Sequence, residues 1–285
     1  MKYINKKSLE SRLRAEKLEQ WKRNFALKYP SIEISYRGFI KEALSGYGRK
    51  ELQFDLWEEQ KFICCYCGQW IPNPKEESGR ITFEHIVTQS EDPTRTLDFT
   101  NILMSCKGQK STTIEKGETL GDVATRVDVS ENDIRKFTDT LIEKEGATVF
   151  LARPKHCNIK RGNDVRKIID PTDIQYSTSE TDCWRLFQYD FDGDKFECTI
   201  IPKEGVHKKL TQDTCDVLGL NSQPLKIMRA RLYENFEETV LFLEDEDGNR
   251  LRARTKTEIS TYLESCLKDT YAFCSMDYSI ISEKI

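Results

Sequence analysis

Four short stretches carry the side chains able to do chemistry: Cys64-Cys65-Tyr66-Cys67, Phe83-Glu84-His85-Ile86, the run from Asn101 to Cys106, and His156-Cys157-Asn158. Zinc takes soft thiolates in a tetrahedron, and two residues between Cys64 and Cys67 let one tight turn aim both sulfurs at one ion. Cys65, between them, should point away. The second pair of ligands has to come from elsewhere in the chain. Cys106 and Cys157 are the candidates, because each lies near an Asn of the third and fourth stretches, and His156 is an alternative for the fourth position. Buried free thiols are the plain alternative for all four.

The other residues of these stretches suit phosphodiester hydrolysis. That reaction needs an activated water, a cation on the scissile phosphate and help for the leaving oxygen. A neutral imidazole takes a proton from water near neutral pH, which makes His85 the candidate base. Glu84 falls on the other side of the same strand, where its carboxylate can bind a hard cation such as magnesium or manganese. Asn158 adds an amide oxygen to that ion. Asn101 can hold the intervening loop through backbone hydrogen bonds. An isolated histidine is more often a satisfied core residue. Here His85 is one of only 3 histidines and is flanked by Glu84 and Ile86-Val87. His207, among Glu204, Lys208 and Lys209, reads as a surface residue.

The elements that must hold these residues are partly legible. Residues 1–60 read as a helical arm, with Leu9, Leu13, Leu18, Trp21 and Phe25 at helical spacing, a break at Tyr29-Pro30, and further helices over 39–44 and 50–62. Residues 61–170 hold the four stretches, interrupted by an insertion over 107–155. Residues 171–285 read as an α/β tail. In it Asp192-Gly193-Asp194 is a turn between strands 184–191 and 195–201. Leu225, Met228, Leu232, Phe236 and Val240 mark one amphipathic helix, and Ile259, Leu263 and Leu267 another. Cys183, Cys198, Cys215, Cys266 and Cys274 lie in apolar contexts and read as core thiols.

Composition bounds the function. The 285 residues are 38% hydrophobic and 32% charged, which fits a water-soluble globular chain. No apolar run approaches ~18 residues, so no membrane span is expected. The N-terminal residues lack the apolar core of a signal peptide. A cytoplasmic, reducing location follows, in which 10 cysteines read as metal ligands or buried thiols and not as a disulfide framework. The net charge of -4 confines any nucleic-acid contact to local patches. One such patch is Arg153, Lys155, Lys160, Arg161, Arg166 and Lys167 around Asn158, placed to contact backbone phosphates. The basic residues near the N-terminus read as an ordinary helix face.

Cys64/Cys67, the run Glu84-His85-Ile86-Val87-Thr88-Gln89-Ser90, Asn101-Ile102-Leu103 and Cys157-Asn158 together resemble the HNH (ββα-metal) endonucleases. The resemblance implies an acid–histidine pair on a β-hairpin and a last Asn that opens a helix. It implies His85 as general base, Glu84 and Asn158 as ligands of the catalytic metal, and Cys64, Cys67, Cys106 and Cys157 as structural zinc ligands. The chain departs from the family in carrying Glu84 where Asp is more usual, and in splitting the second cysteine pair. A narrower similarity extends into the tail, through Asp192-Gly193, Thr214 to Asn221, Leu225 and Arg229. It is to the PtuB nuclease subunits of Septu-type anti-phage systems, some of them retron-associated. This implies a restraining ABC/SMC-like ATPase partner (PtuA) and, in retron-associated members, a reverse transcriptase with its RNA–DNA hybrid.

The insertion has a separate signature. Thr112 to Ala124, then Val129 to Phe137 with Ser130 as N-cap, then a strand over Thr148–Ala152, resembles a LysM-like βααβ module. In this chain it reads as a contact platform or a spacer. The expected fold is thus α+β: a helical N-terminal arm, a ββα-metal core with a four-cysteine zinc knuckle, the inserted module and an α/β tail. The expected activity is cleavage of DNA or RNA. A zinc-stabilised interaction subunit with a non-catalytic centre is the alternative.

Overall fold

The computed structural model describes residues 1, 3–76, 81–108, 112–114, 119, 140–144, 148–152, 155–162, 164, 166–176, 186–205, 207–244, 250–259 and 261–262. Over these the chain mixes helix and strand in an α+β arrangement. None of the described helices is long and apolar enough to cross a membrane.

The arm opens with α1 (Leu9–Lys28), capped by Ser8, whose hydroxyl accepts a hydrogen bond from the Ser11 amide. Its apolar residues form two faces, not the single stripe expected. Leu18, Trp21 and Phe25 are buried, while Leu9 and Leu13 are 67% and 53% exposed. At ~100° per residue, Leu9 and Leu13 fall on the side opposite Leu18. Trp21 stacks on Phe25 and meets Phe39 edge-on, with centroids 5.0 and 4.9 Å apart. This fixes α2 (Tyr36–Lys41) against α1.

Helix α2 starts earlier than the 39–44 reading because Ser35 caps it, accepting from the Gly38 amide at 3.1 Å. Helix α3 (Arg49–Glu59) stops short of residue 62. Beyond it, the Gln60 side-chain amide donates to the carbonyls of Ile63 and Met104 at 3.0 and 2.8 Å. Lys61 and Phe62 then take φ values of 55° and 68°, through which no right-handed helix continues.

The centre is an antiparallel pair, β1 (Ile81–His85) and β2 (Ile102–Cys106), in the register Glu84↔Leu103 and His85↔Ile102. All five β2 residues are buried. The connecting loop contains two 3-10 turns, Pro93–Leu97 and Phe99–Asn101.

In the insertion, β3 (Thr112–Ile114) and β5 (Thr148–Ala152) pair antiparallel. The sheet has a third strand, β4 (Thr140–Lys144), on the other edge of β5, where the βααβ reading had none. The two helices expected between them lie outside the described residues.

After the short α4 (Cys157–Arg161), the tail forms the hairpin β6 (Phe187–Asp192) and β7 (Glu197–Pro202), shifted slightly from the expected strands. Helix α5 (Lys208–Leu218), which no expectation covered, precedes α6 (Gln223–Leu241). A second small hairpin, β8 (Phe242–Glu244) and β9 (Arg250–Ala253), follows. Leu263 and Leu267 of the last expected helix lie outside the described residues.

The tail braces the centre. The Thr214 hydroxyl accepts from the Ile169 amide at 2.9 Å. Gly219, which ends α5 with φ 57°, has no room for a side chain: a Cβ there would lie 2.8 Å from the Lys155 carbonyl. Gly108 presses on the same segment, its Cβ position 2.6 Å from the His156 carbonyl. Both glycines therefore fix the stretch that leads into Cys157.

Candidate metal centre and active site

Cys64 and Cys67 lie in a turn closed by the Cys64 amide on the Gln69 carbonyl and the Gly68 amide on the Cys64 carbonyl, at 2.9 and 3.1 Å. Cys106 ends β2 and Cys157 begins α4. The four sulfurs, all buried, lie within 4.8 Å of one another and are the one metal-competent cluster of acidic, His and Cys groups among the described residues. The Cys64–Cys157 and Cys67–Cys106 sulfur pairs are each 3.8 Å apart. Zinc–sulfur bonds of about 2.3 Å in a tetrahedron put sulfurs about 3.8 Å apart, so the cluster fits a metal such as zinc. Cys157 holds φ 52°, a conformation that L residues with side chains rarely adopt.

Burial opposes ionisation of Cys64, yet its hydrogen bonds with Cys106 and Cys157 bring its thiol well below the usual value. Burial pushes Cys157 well above that value. A dication among the four sulfurs would stabilise all of them as thiolates. His156 is buried, with Nδ1 3.3 Å from the Cys157 sulfur and 3.7 Å from that of Cys106. It stands beside the thiols as a hydrogen-bond partner. Cys65 is buried but outside the four-sulfur cluster.

Next to the thiols, Glu84 is buried and fully engaged. Its Oε1 accepts from the Tyr66 hydroxyl at 2.9 Å and from the Arg161 guanidinium. Its Oε2 accepts from the Asn158 amide, which also donates to the Phe83 carbonyl at 3.2 Å. Burial raises the Glu84 carboxyl above the usual range, against the pull of Arg161, Tyr66 and Asn158. Arg161 was expected on a phosphate-binding surface. It lies inside instead, donating also to the carbonyls of His85 and Ile86 at 3.1 Å each. Lys155, Lys160, Arg166 and Lys167 are exposed, and Arg166 is paired with Asp164 at 2.6 Å. Arg153 lies outside the described residues.

His85 faces the loop. Its Nε2 lies 3.0 Å from the Thr96 carbonyl, so that nitrogen carries the proton and Nδ1 keeps a lone pair. The Gln89 amide approaches Nδ1 at 3.4 Å, and the Tyr36 ring packs edge-on at 5.4 Å. Burial lowers the His85 pKa, opposed by the Thr96 contact. Burial also pushes the Tyr36 phenol up to about 12, so it stays protonated at neutral pH.

The loop itself hangs on Asn101. This fully buried amide accepts from the Val87 N–H at 2.8 Å and donates to the Val87 and Arg95 carbonyls at 3.0 Å each. His207 is half-buried with its ring on Tyr176 at 5.2 Å, away from these groups.

The structure therefore brings together Cys64, Cys67, Cys106 and Cys157, and separately Glu84 with Asn158, while the His85 ring and the Asn101 amide each hold the loop that follows β1. Sequence reasoning missed what Tyr66, Thr96 and Arg161 do here. Tyr66, a polar aromatic inside the CxxC turn, was the one available signal; Thr96 acts through its backbone, which no side-chain pattern reveals. No protein-family model matches the chain, and no curated protein matches it.

Proposed function

We propose that the chain is a metal-dependent HNH-type endonuclease that hydrolyses phosphodiester bonds of DNA or RNA. Zinc on Cys64, Cys67, Cys106 and Cys157 is the structural ion, and magnesium or manganese binds at Glu84 and Asn158. The observation that carries this reading is the orientation of His85: Nε2 is committed to the Thr96 carbonyl while Nδ1 keeps its lone pair, one residue from a carboxylate that meets Asn158. A carboxylate oxygen beside an amide, which offers an oxygen as well as an NH2 group, is a donor pair that hard cations take. When bound, such an ion supplies charge stabilisation for the phosphate and the leaving oxygen.

The protein's own groups do the rest. His85 Nδ1 takes the proton of the attacking water. Asn101 keeps the loop, and with it Thr96 and the imidazole, in place. Lys155, Lys160 and Lys167 meet backbone phosphates. The exposed Leu9, Leu13 and Leu27 on α1 support a docking face for an ATPase partner of the PtuA kind, with a reverse transcriptase and its RNA–DNA hybrid in a retron-associated assembly.

The second reading, an interaction subunit with a non-catalytic HNH centre, is favoured by the Arg161 guanidinium already on Glu84. Incubating the purified chain, alone and co-purified with a neighbouring ATPase, with plasmid DNA and transfer RNA decides between them. Cleavage that needs magnesium or manganese supports the nuclease; intact substrates under every condition support the interaction subunit.

A further inference from the structure

The ion pair inside the candidate catalytic site bears on how that site takes its cation. A divalent ion needs net negative charge from its ligands, and Glu84 is the acidic one of the pair with Asn158. Its hydrogen-bond partners are Tyr66, Asn158 and Arg161, none of them acidic. Arg161 is not a passing contact. Both it and Glu84 have side chains only 5% exposed, and the guanidinium is held by four oxygens: the Tyr66 hydroxyl at 3.0 Å, Glu84 Oε1, and the His85 and Ile86 carbonyls. Helix α4 carries both Arg161 and Asn158, so the resident cation and the second ligand are fixed to one rigid turn, three residues apart. Glu84 and Arg161 together have zero formal charge.

We infer that Arg161 acts as a tethered cation on Glu84, which keeps the site weak for a free divalent ion and makes ion binding depend on the arrival of a phosphate. The inference rests on the nuclease reading above. A phosphodiester arriving at Glu84 brings the missing negative charge. Ion and nucleic acid then bind cooperatively, each tightening the other by the same factor. Tyr66 and Arg161 share Oε1 and the Asn158 NH2 group meets Oε2, so an ion would take Oε2 by displacing that NH2 group, with the amide turned to offer its oxygen. This also accommodates Glu in place of the more usual Asp, because the additional methylene is anchored at its far end. Such coupling keeps the centre incomplete in the absence of substrate.

The test is a manganese titration of the full, zinc-loaded chain, with free Mn2+ read by electron paramagnetic resonance and no turnover required. Arg161→Gln should bind Mn2+ at least about tenfold more tightly than the unaltered chain. Arg161→Lys, which keeps the charge, should stay as weak as the unaltered chain. Adding a DNA hairpin or an RNA hairpin of the same sequence to the His85→Ala chain should tighten Mn2+ by about tenfold with at least one of the two, and less so once Arg161→Gln is combined with it. Equal Mn2+ affinity in the unaltered and Arg161→Gln proteins, or affinity unmoved by both hairpins, overturns the inference while leaving the cation ligands in place. If Arg161→Gln does not fold, tight Mn2+ binding by the unaltered chain without nucleic acid overturns it equally. Mn2+ bound by none of the proteins, with or without hairpins, overturns the assignment of Glu84 and Asn158 as ligands, and the inference with it.

Discussion

At His85, two contacts decide what the side chain can do. The Thr96 carbonyl fixes the tautomer and burial favours the neutral ring. An imidazolium is the form that burial penalises, so the folded-state pKa lies below the unfolded value of ~6.5. The sign follows. Between those two pKa values the unfolded chain binds more protons, so His85 costs stability as pH falls through that window. Cleavage should be flat around neutrality and fall only on acidification below the ordinary imidazole value. A pH–rate profile checks this; an acid limb above that value contradicts it. Asn101 is the other decisive residue. Asn101→Ala leaves the Val87 N–H and two carbonyls without their partner, at a cost of roughly 2–4 kcal/mol. Urea unfolding of the variant reads that loss, and a change below about 1 kcal/mol would mean that the loop is held by something else.

At the scale of elements, what was legible followed local chemistry, and what was not depended on long-range packing. The existence of α1, α3 and α6 is written in apolar spacing, and the β6–β7 turn in Asp192-Gly193-Asp194. The end of α3 was not legible, because it depends on the Gln60 side chain reaching β2, 44 residues away. The five apolar residues of α1 read as one stripe, although at ~100° per residue Leu9 and Leu13 lie opposite Leu18. The four thiols and the Glu84/His85/Asn158 set could be proposed from types and neighbours, yet Arg161 read as a surface cation because its partner is 77 positions away. The same blindness covered Lys6, read as part of a basic helix face. It is buried, 2.6 Å from Glu59 and 4.1 Å over the Phe99 ring, and it ties the N-terminal segment to α3 and to the loop that ends at Asn101. Burial lowers its pKa against the attraction of Glu59. Lys6→Ala strands the Glu59 carboxylate in the interior and should cost about 3–5 kcal/mol. Lys6→Ala combined with Glu59→Gln should recover part of it. Thermal melts of the two variants check this, and equal melting temperatures for Lys6→Ala and the parent would show that the pair contributes nothing.

For the whole molecule, the thiol cluster is the point where the arm-side turn, β2 and α4 meet, with the tail pressed behind it through Gly219. Binding free energy of an ion that joins such distant segments is folding free energy. Purified protein should therefore contain about one zinc per chain, and a strong chelator should unfold the central region while Cys106→Ser reduces zinc content. Metal analysis with circular dichroism reads both, and a folded, zinc-free protein would contradict the structural role.

The proposed catalysis stands or falls on His85. Among the described residues the other two histidines are His156, beside the thiols, and His207, on Tyr176, so neither can replace it. The most direct measurement is the nuclease rate of His85→Ala against the parent protein across a magnesium and manganese titration, with zinc content and fold confirmed on the same samples. A fall of ~10²–10⁴-fold that no metal concentration rescues, with zinc and fold intact, is the predicted result. Undiminished cleavage by His85→Ala would contradict the HNH mechanism in this protein.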